Sequence, residues 1–358
     1  MRTSGAAVQG ALIRRMKLLF CALAGRDVGY GHLKRCLSIA ECARRQGLET
    51  AFLVLGEGAD IARRQGYAAV EAPWPGIMQG LPFEGGAAGT IAILDVTHPM
   101  VFSRLPDLYV LLQTLRKFAH RMAAIDSLGR HSFAAAVPSI PVDVLVIPYV
   151  GAAARTGISA TKLVGPEYAL LSPEYASMPL RSVNETAERI LVTFGGADPK
   201  ALTGVVLVAL AQIRRRLAVR VVIGPLFAAH VTATVEVQAL RLHHDVELVF
   251  SPQGLVEHMW WADIAVAASG LVKYELAATG TPGILVSIDE AHELANRPFA
   301  RERLQTDIGV TADPVLIGHA IEELLDSATE RRGMAERGQR LIDGKGAERL
   351  IAALTRLP

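Results

Sequence analysis

The chain has 358 residues, 51% hydrophobic and only 6% aromatic, with 37 basic against 35 acidic side chains and a mean hydropathy of +0.30. The even charge and the lack of a basic-aromatic patch argue against a nucleic-acid partner. Every apolar stretch is broken by charge or proline before the roughly 18 residues that a spanning helix needs, so no integral membrane segment is expected. The length implies two domains, and abundant Ala, Val and Leu suit parallel sheets covered by helices.

Residues 1–15 read as a disordered extension, with Met16 an alternative start. Arg14-Arg15-Met16-Lys17 before Leu18–Ala24 imitates a signal peptide. Cleavage there would destroy the strand that follows, so the run is read as structural. Three cysteines, Cys21, Cys36 and Cys42, fit neither a zinc site nor a redox pair and are expected as reduced core thiols in cytoplasm.

Lys17–Ala22 is a short apolar strand. The turn Gly29-Tyr30-Gly31-His32 follows, and a helix runs from Leu33 to Gln46, stopped by Gly47. Strand, glycine turn and helix start together make an anion cradle: glycines admit close approach, and the helix start offers unpaired N–H groups. His32 sits at its lip, beside Lys34 and Arg35. Further strands are expected at Thr50–Leu55, Ile91–Asp95, Met122–Asp126 and Val142–Ile147, with helices at Gly58–Gln65 and Leu108–His120. Pro73–Gly89 is a loop. Asp95 and Asp126 close their strands, at the sheet edge where ligands bind in open parallel sheets.

The pattern loosens over 162–188, where Gly165-Pro166, Ser172-Pro173 and Met178-Pro179 mark an interdomain linker. Alternation then restarts. Arg189–Phe194 is a strand, Gly195-Gly196 a second glycine turn, and Pro199 suits the first position of a helix over Ala201–Arg214. Strands follow at Val219–Ile223, Val246–Phe250, Asp263–Ala267, Gly283–Ile288 and Ile308–Val310. Ser269-Gly270 opens the helix Leu271–Thr279, in which Glu275 can accept from two ribose hydroxyls while the helix start holds phosphate. Leu255–Trp261, Glu293–Leu304 and Pro314–Leu325 are helical. The expected domains are 16–161 for the sugar and the chemistry and 189–358 for the nucleotide: α/β, two Rossmann-like domains facing a cleft. Neither glycine turn matches a P-loop or a dinucleotide fingerprint.

Gly29-Tyr30-Gly31-His32-Leu33-Lys34-Arg35-Cys36 resembles the opening signature of the PseG family, the UDP-sugar hydrolases of pseudaminic acid synthesis. Phe194–Lys200 resembles that family's second signature and Gly165–Tyr175 its linker. Ala262–Gly280 with Pro282 is similar to its nucleotide-binding helix, a feature shared with MurG-like glycosyltransferases. The resemblance runs in order from about residue 17 to 310. It implies a GT-B fold, a UDP-sugar substrate, a catalytic His32, and no metal or cofactor. Gly29, Tyr30, Gly31, Arg35, Asp95, Gly195, Gly196, Ser269, Gly270, Leu271, Glu275 and His292 would bind the substrate, with UDP held mainly by the C-terminal domain and Arg35, Ser269 and Gly270 meeting the charge on the departing diphosphate. The chain departs from the family at Cys21 and Leu23, where an Arg-x-Asp is usual. Further departures are Asp95-Val96-Thr97, with His98 one step beyond, Ile147-Pro148-Tyr149, and Ala291-His292. Most lie on the sugar side. Hydrolysis of a UDP-linked amino sugar is the leading expectation, transfer to an acceptor hydroxyl the alternative, and a binding-only paralogue a third.

Overall fold

The computed structural model describes residues 16–25, 28–75, 88–128, 131–136, 141–153 and 159–356. The expected extension over 1–15 and most of the expected loop over Pro73–Gly89 lie outside these residues. The chain forms two compact units: one holds the chain up to Pro173 and takes back the C-terminal helix Gly346–Arg356, and the other is Glu174–Gly344.

The first unit contains β1 (Lys17–Ala24), β2 (Glu49–Gly56), β3 (Ala68–Ala72), β4 (Thr90–Asp95), β5 (Arg121–Ile125), β6 (Val144–Ile147) and β7 (Thr161–Val164). They form one parallel sheet in the order β3-β2-β1-β4-β5-β6-β7. Its helices are α1 (Gly31–Arg45), α2 (Ala59–Arg64), α3 (Pro99–Phe102), α4 (Leu105–Phe118) and α5 (Phe133–Ala136). Alternate residues of β1 feed separate cores: Leu18, Phe20 and Ala22 join α1 and the C-terminal helix, whereas Leu19, Cys21 and Leu23 join α4. Both faces are dry, which is why β1 reads as a continuous apolar run. α1 ends where Gly47, at φ +76°, sends its N–H to Arg44 O while Leu48 N–H reaches Ala43 O. This Schellman closure needs the left-handed conformation that glycine accepts without strain.

The second unit contains β8 (Arg189–Thr193), β9 (Ala218–Ile223), β10 (Asp245–Phe250), β11 (Ile264–Ala268), β12 (Gly283–Ser287) and β13 (Thr306–Val310). They too form a parallel sheet, in the order β10-β9-β8-β11-β12-β13. Its helices are α6 (Leu202–Leu210), α7 (Ala229–Arg241), α8 (Val256–Trp261), α9 (Val272–Thr279), α10 (Glu290–Arg301), α11 (Pro314–Asp326) and α12 (Ala328–Leu341). Ile190, Val192, Val266 and Val286 pack under Val206, Leu210, Ile317 and Ile321. In each sheet the strand order reverses between two neighbours, β1 and β4 in one and β8 and β11 in the other. Connections leave those neighbours toward opposite faces, which opens a crevice at their carboxyl ends.

Several local expectations change. β3, β7 and α7 were not legible: the strands are four or five residues long, and α7 buries only Val231, Val235 and Ala239. β7 adds to the first sheet although it begins the stretch expected as a linker. α6 starts at Leu202, so Pro199 is not in its first turn. Asp198 and Ala201 sit at φ +41° and +52°, and the Asp198 carboxylate caps Leu202 N–H and Thr203 N–H at 2.9 and 2.8 Å. The second domain is expected to run to residue 358, yet Ala347, Leu350, Ile351 and Leu354 fill the first unit's core.

Candidate functional site

The residues singled out in the first unit converge at the crevice between β1 and β4. Ala22 of β1 pairs with Asp95 of β4, so the glycine turn after β1 stands level with the Asp95 carboxylate. Gly29 N–H donates to Gly25 O at 2.7 Å, closing the turn with Gly29 at φ +81°. Tyr30 then stands at the N-cap of α1, where no side chain caps the helix and no acidic residue occupies the first turn. Gly31 is exposed and begins the helix. The positive end of the helix therefore faces outward at the crevice.

His32 and Arg35 lie one turn apart on α1 and meet the same carboxylate. His32 Nδ1 is 2.7 Å from Asp95 Oδ1, and Arg35 clasps Asp95 through Nε to Oδ2 and NH2 to Oδ1, both at 2.6 Å. Arg35 NH1 donates to the Tyr149 hydroxyl at 3.0 Å, beyond the end of β6. Asp95 is fully buried. Burial alone would raise its carboxyl, but Arg35 and His32 hold it down at about 2. An ionised Asp95 accepts a hydrogen bond from His32 Nδ1–H and so leaves Nε2 as the basic nitrogen, the base-and-orienter pair of acid–base sites. Arg35 is buried, and its Nε, NH1 and NH2 all donate inward. In this structure it holds Asp95 and Tyr149, where the sequence reading has it meet the charge on a departing diphosphate. Tyr149, which the sequence shows only within the departure Ile147-Pro148-Tyr149, joins the site from the turn after β6.

Asp126 has a different task. It accepts from Phe133 N–H and Ala134 N–H at 2.7 and 3.1 Å and so caps α5. His98 caps α3 by accepting from Met100 N–H at 3.2 Å. Burial lowers its basicity, and His32 and His131 lower it further.

In the second unit the candidate residues again gather at the carboxyl ends of the two strands where the order reverses. After β8, Gly195 takes φ +75°, and Gly196 O accepts from Leu226 N–H at 2.8 Å. After β11, Ser269 and Gly270, the latter at φ +103°, lead through Leu271 at the N-cap into α9. Glu275 is buried on α9, and the buried Tyr175 hydroxyl is hydrogen-bonded to it. His292 lies in the first turn of α10, after β12, where its N–H and Nδ1 meet Asp289 Oδ1 at 2.9 and 2.7 Å. Beneath the Ser269-Gly270 turn is a polar cluster that sequence reasoning missed. Ser269 Oγ donates to Asn296 Oδ1 at 2.6 Å, Lys273 Nζ reaches the same oxygen at 3.1 Å and Ala295 O at 2.7 Å, and Asn296 Nδ2 donates to Ser287 Oγ at 2.9 Å. Its one sequence signal is a lysine in the first turn of a short helix, Val272–Thr279, beside Glu275. Among the described residues no group of three His, Cys, Asp or Glu could hold a metal ion.

No protein-family model matches the chain. The chain is similar to the spore coat polysaccharide biosynthesis protein SpsG of Bacillus subtilis, 27% identical over 196 residues that make up 53% of this chain and 57% of that protein. The chain thus matches little more than half the length of that relative. Among solved structures it is similar to MurG of Acinetobacter baumannii, with a TM-score of 0.61, 15% identity, and 95% of this chain and 100% of that one covered. The S. aureus MnaA–UDP co-structure gives 0.59 at 13%, covering 95% and 96%. The calicheamicin glycosyltransferase CalG4 gives 0.58 at 15%, covering 95% and 98%. The fold is that of the GT-B glycosyltransferases, two parallel-sheet α/β domains.

Proposed function

We propose that the protein is a UDP-sugar-dependent GT-B enzyme that transfers the sugar to an acceptor hydroxyl, with His32 as general base. The observation that carries this reading is the His32–Asp95 pair, a basic Nε2 held at an uncapped helix start by a buried carboxylate. The fold shared with the calicheamicin glycosyltransferase and with a UDP co-structure supports it, as does the name of the polysaccharide biosynthesis relative.

In this reading the diphosphate lies on the N–H groups of Gly195-Gly196 and Ser269-Gly270-Leu271, with Glu275 and His292 at the nucleoside side. Gly29, Tyr30 and Gly31 line the sugar's approach. His32 Nε2 takes the acceptor proton as the acceptor oxygen bonds to the anomeric carbon. The bond from that carbon to the diphosphate oxygen breaks, and UDP leaves with the electron pair. Asp95 stabilises the imidazolium, and backbone donors meet the charge on UDP. Arg35 and Tyr149 fix Asp95 and touch no reacting atom.

Hydrolysis, with water in place of the acceptor, is the second reading. The run Gly29-Tyr30-Gly31-His32 with Arg35-Cys36, which resembles the UDP-sugar hydrolases, favours it. A panel of UDP-sugars with and without acceptor saccharides, run in oxygen-18 water and scored for UDP and sugar products, tests both. Transfer gives UDP only when an acceptor is present. Acceptor-independent UDP with label in the free sugar puts hydrolysis first. Label in the nucleotide means attack at phosphorus and overturns both.

A further inference from the structure

Lys273 is in an unfavourable place. It is 3% exposed and occupies the second position of α9, at the positive end of the helix dipole, where a cation is disfavoured. The carboxylate that faces it is Asp307 on β13, whose own carboxyl burial raises and Glu293 of α10 raises further. Glu275, on the same helix, is turned to Tyr175. The Phe299 ring lies 4.9 Å from Nζ and the Tyr274 ring 5.8 Å. Burying an ammonium at such a point is costly unless an anion sits nearby.

The cluster around Lys273 leads straight to the turn. Asn296 is fully buried, and its Oδ1 takes two donors, Ser269 Oγ and Lys273 Nζ. Asn296 is itself fixed by Ser287 and by a hydrogen bond to Asp307. Ser269 can therefore turn its proton toward a ligand oxygen while Lys273 keeps Asn296 satisfied.

We propose that Lys273 is a positioning residue for the diphosphate: through Asn296 it sets the Ser269 hydroxyl, and its ammonium backs the Ser269-Gly270 turn. This rests on the nucleotide reading of that turn. Burial brings the Lys273 amine down to about 7, with Asp307 opposing the shift. At pH 8 the amine is then largely neutral, and an anion bound at the turn draws a proton onto it. No proton needs to pass to substrate.

Calorimetric titration of the full chain with UDP at pH 8, in buffers of low and high ionisation enthalpy, reads affinity and proton uptake together. Wild type binds with net proton uptake. Lys273→Met binds about tenfold more weakly, as for a lost charge-assisted hydrogen bond, and loses the uptake. Lys273→Arg, charged throughout, recovers affinity without uptake, and Asn296→Asp, which pins Lys273 in its charged form, also abolishes uptake. Equal affinity and equal uptake in Lys273→Met would overturn the proposal. Failure of wild type to bind UDP would bring down the nucleotide reading, and this inference with it. A fold control follows from linkage. The native amine titrates below the unfolded one, so the unfolded chain binds more protons between about pH 7 and 10.5, and stability rises with pH across that window. Lys273→Met folds and flattens that rise; an unchanged slope would contradict the buried amine.

Discussion

Asp95 accepts from two residues on a single helix, and both contacts depend on its charge. Asp95→Asn removes the charge that fixes the Nδ1–H tautomer of His32, so turnover should fall by about 10²-fold or more, the scale of a lost general base. His32→Ala should fall as far while UDP binding stays within a few-fold. The same asparagine leaves Arg35 buried without its countercharge, at a cost of about 3–5 kcal/mol near neutral pH. The pH dependence has a definite sign. The carboxyl goes from its ordinary 3.8 to about 2 on folding, so its contribution, about 2 kcal/mol, is present above 3.8 and lost as pH falls toward 2. Denaturant unfolding of both proteins from pH 7 to pH 2 should show the stability gap narrowing in that interval. A gap that holds constant to pH 2 would mean that Asp95 is not ionised in the native state.

The two glycine turns depend on their neighbours as much as on their own residues. A Cβ on Gly224, just after β9, would stand 2.4 Å from both Gly195 O and Gly196 O. Those are backbone atoms and cannot rotate away, so Gly224→Ala must displace the turn after β8. UDP affinity should drop about tenfold, the loss of roughly one good backbone hydrogen bond to charge, with β8 and β9 intact by circular dichroism. Unchanged affinity would remove Gly195-Gly196 from the diphosphate cradle. At this scale the sequence was most informative where both strand faces are buried. β1, β4, β8, β11 and β12 read as unbroken apolar runs, and the turns after them followed. Short edge strands such as β3 and β7 carry too few residues to show a period. His32 and Asp95 could each be picked as candidates, because each stands at a strand or helix end. Their bond could not be read, since 63 residues separate them and only the pairing of β1 with β4 brings them level. Lys273 and Asn296 meet through α9 and α10 in the same way.

At the scale of the whole molecule the chain crosses into a second unit and returns. The C-terminal helix is amphipathic, and its pattern marks it as packed, but periodicity does not say against which core. It lies against α1 with Ala347, Leu350, Ile351 and Leu354 buried, and Arg121 NH1 donates to Leu354 O. Gly346 presses on Ala169, 2.2 Å from where its Cβ would stand. The first unit is thus discontinuous, whereas Glu174–Gly344 is one continuous segment with its own sheet and core. Deleting residues 345–358 exposes the helix's partners on α1 and removes three large apolar side chains. At about 1.5–3 kcal/mol each, that loss rivals the whole stability of an ordinary domain. Hydrogen exchange of the deletion variant should show β1 and β4 losing protection while β8 and β11 keep theirs. UDP binding should survive in proportion, because the turns proposed to hold it belong to the intact segment. If β8 and β11 lose protection together with β1, the two units fold as one cooperative body, and the nucleotide site does not stand on its own.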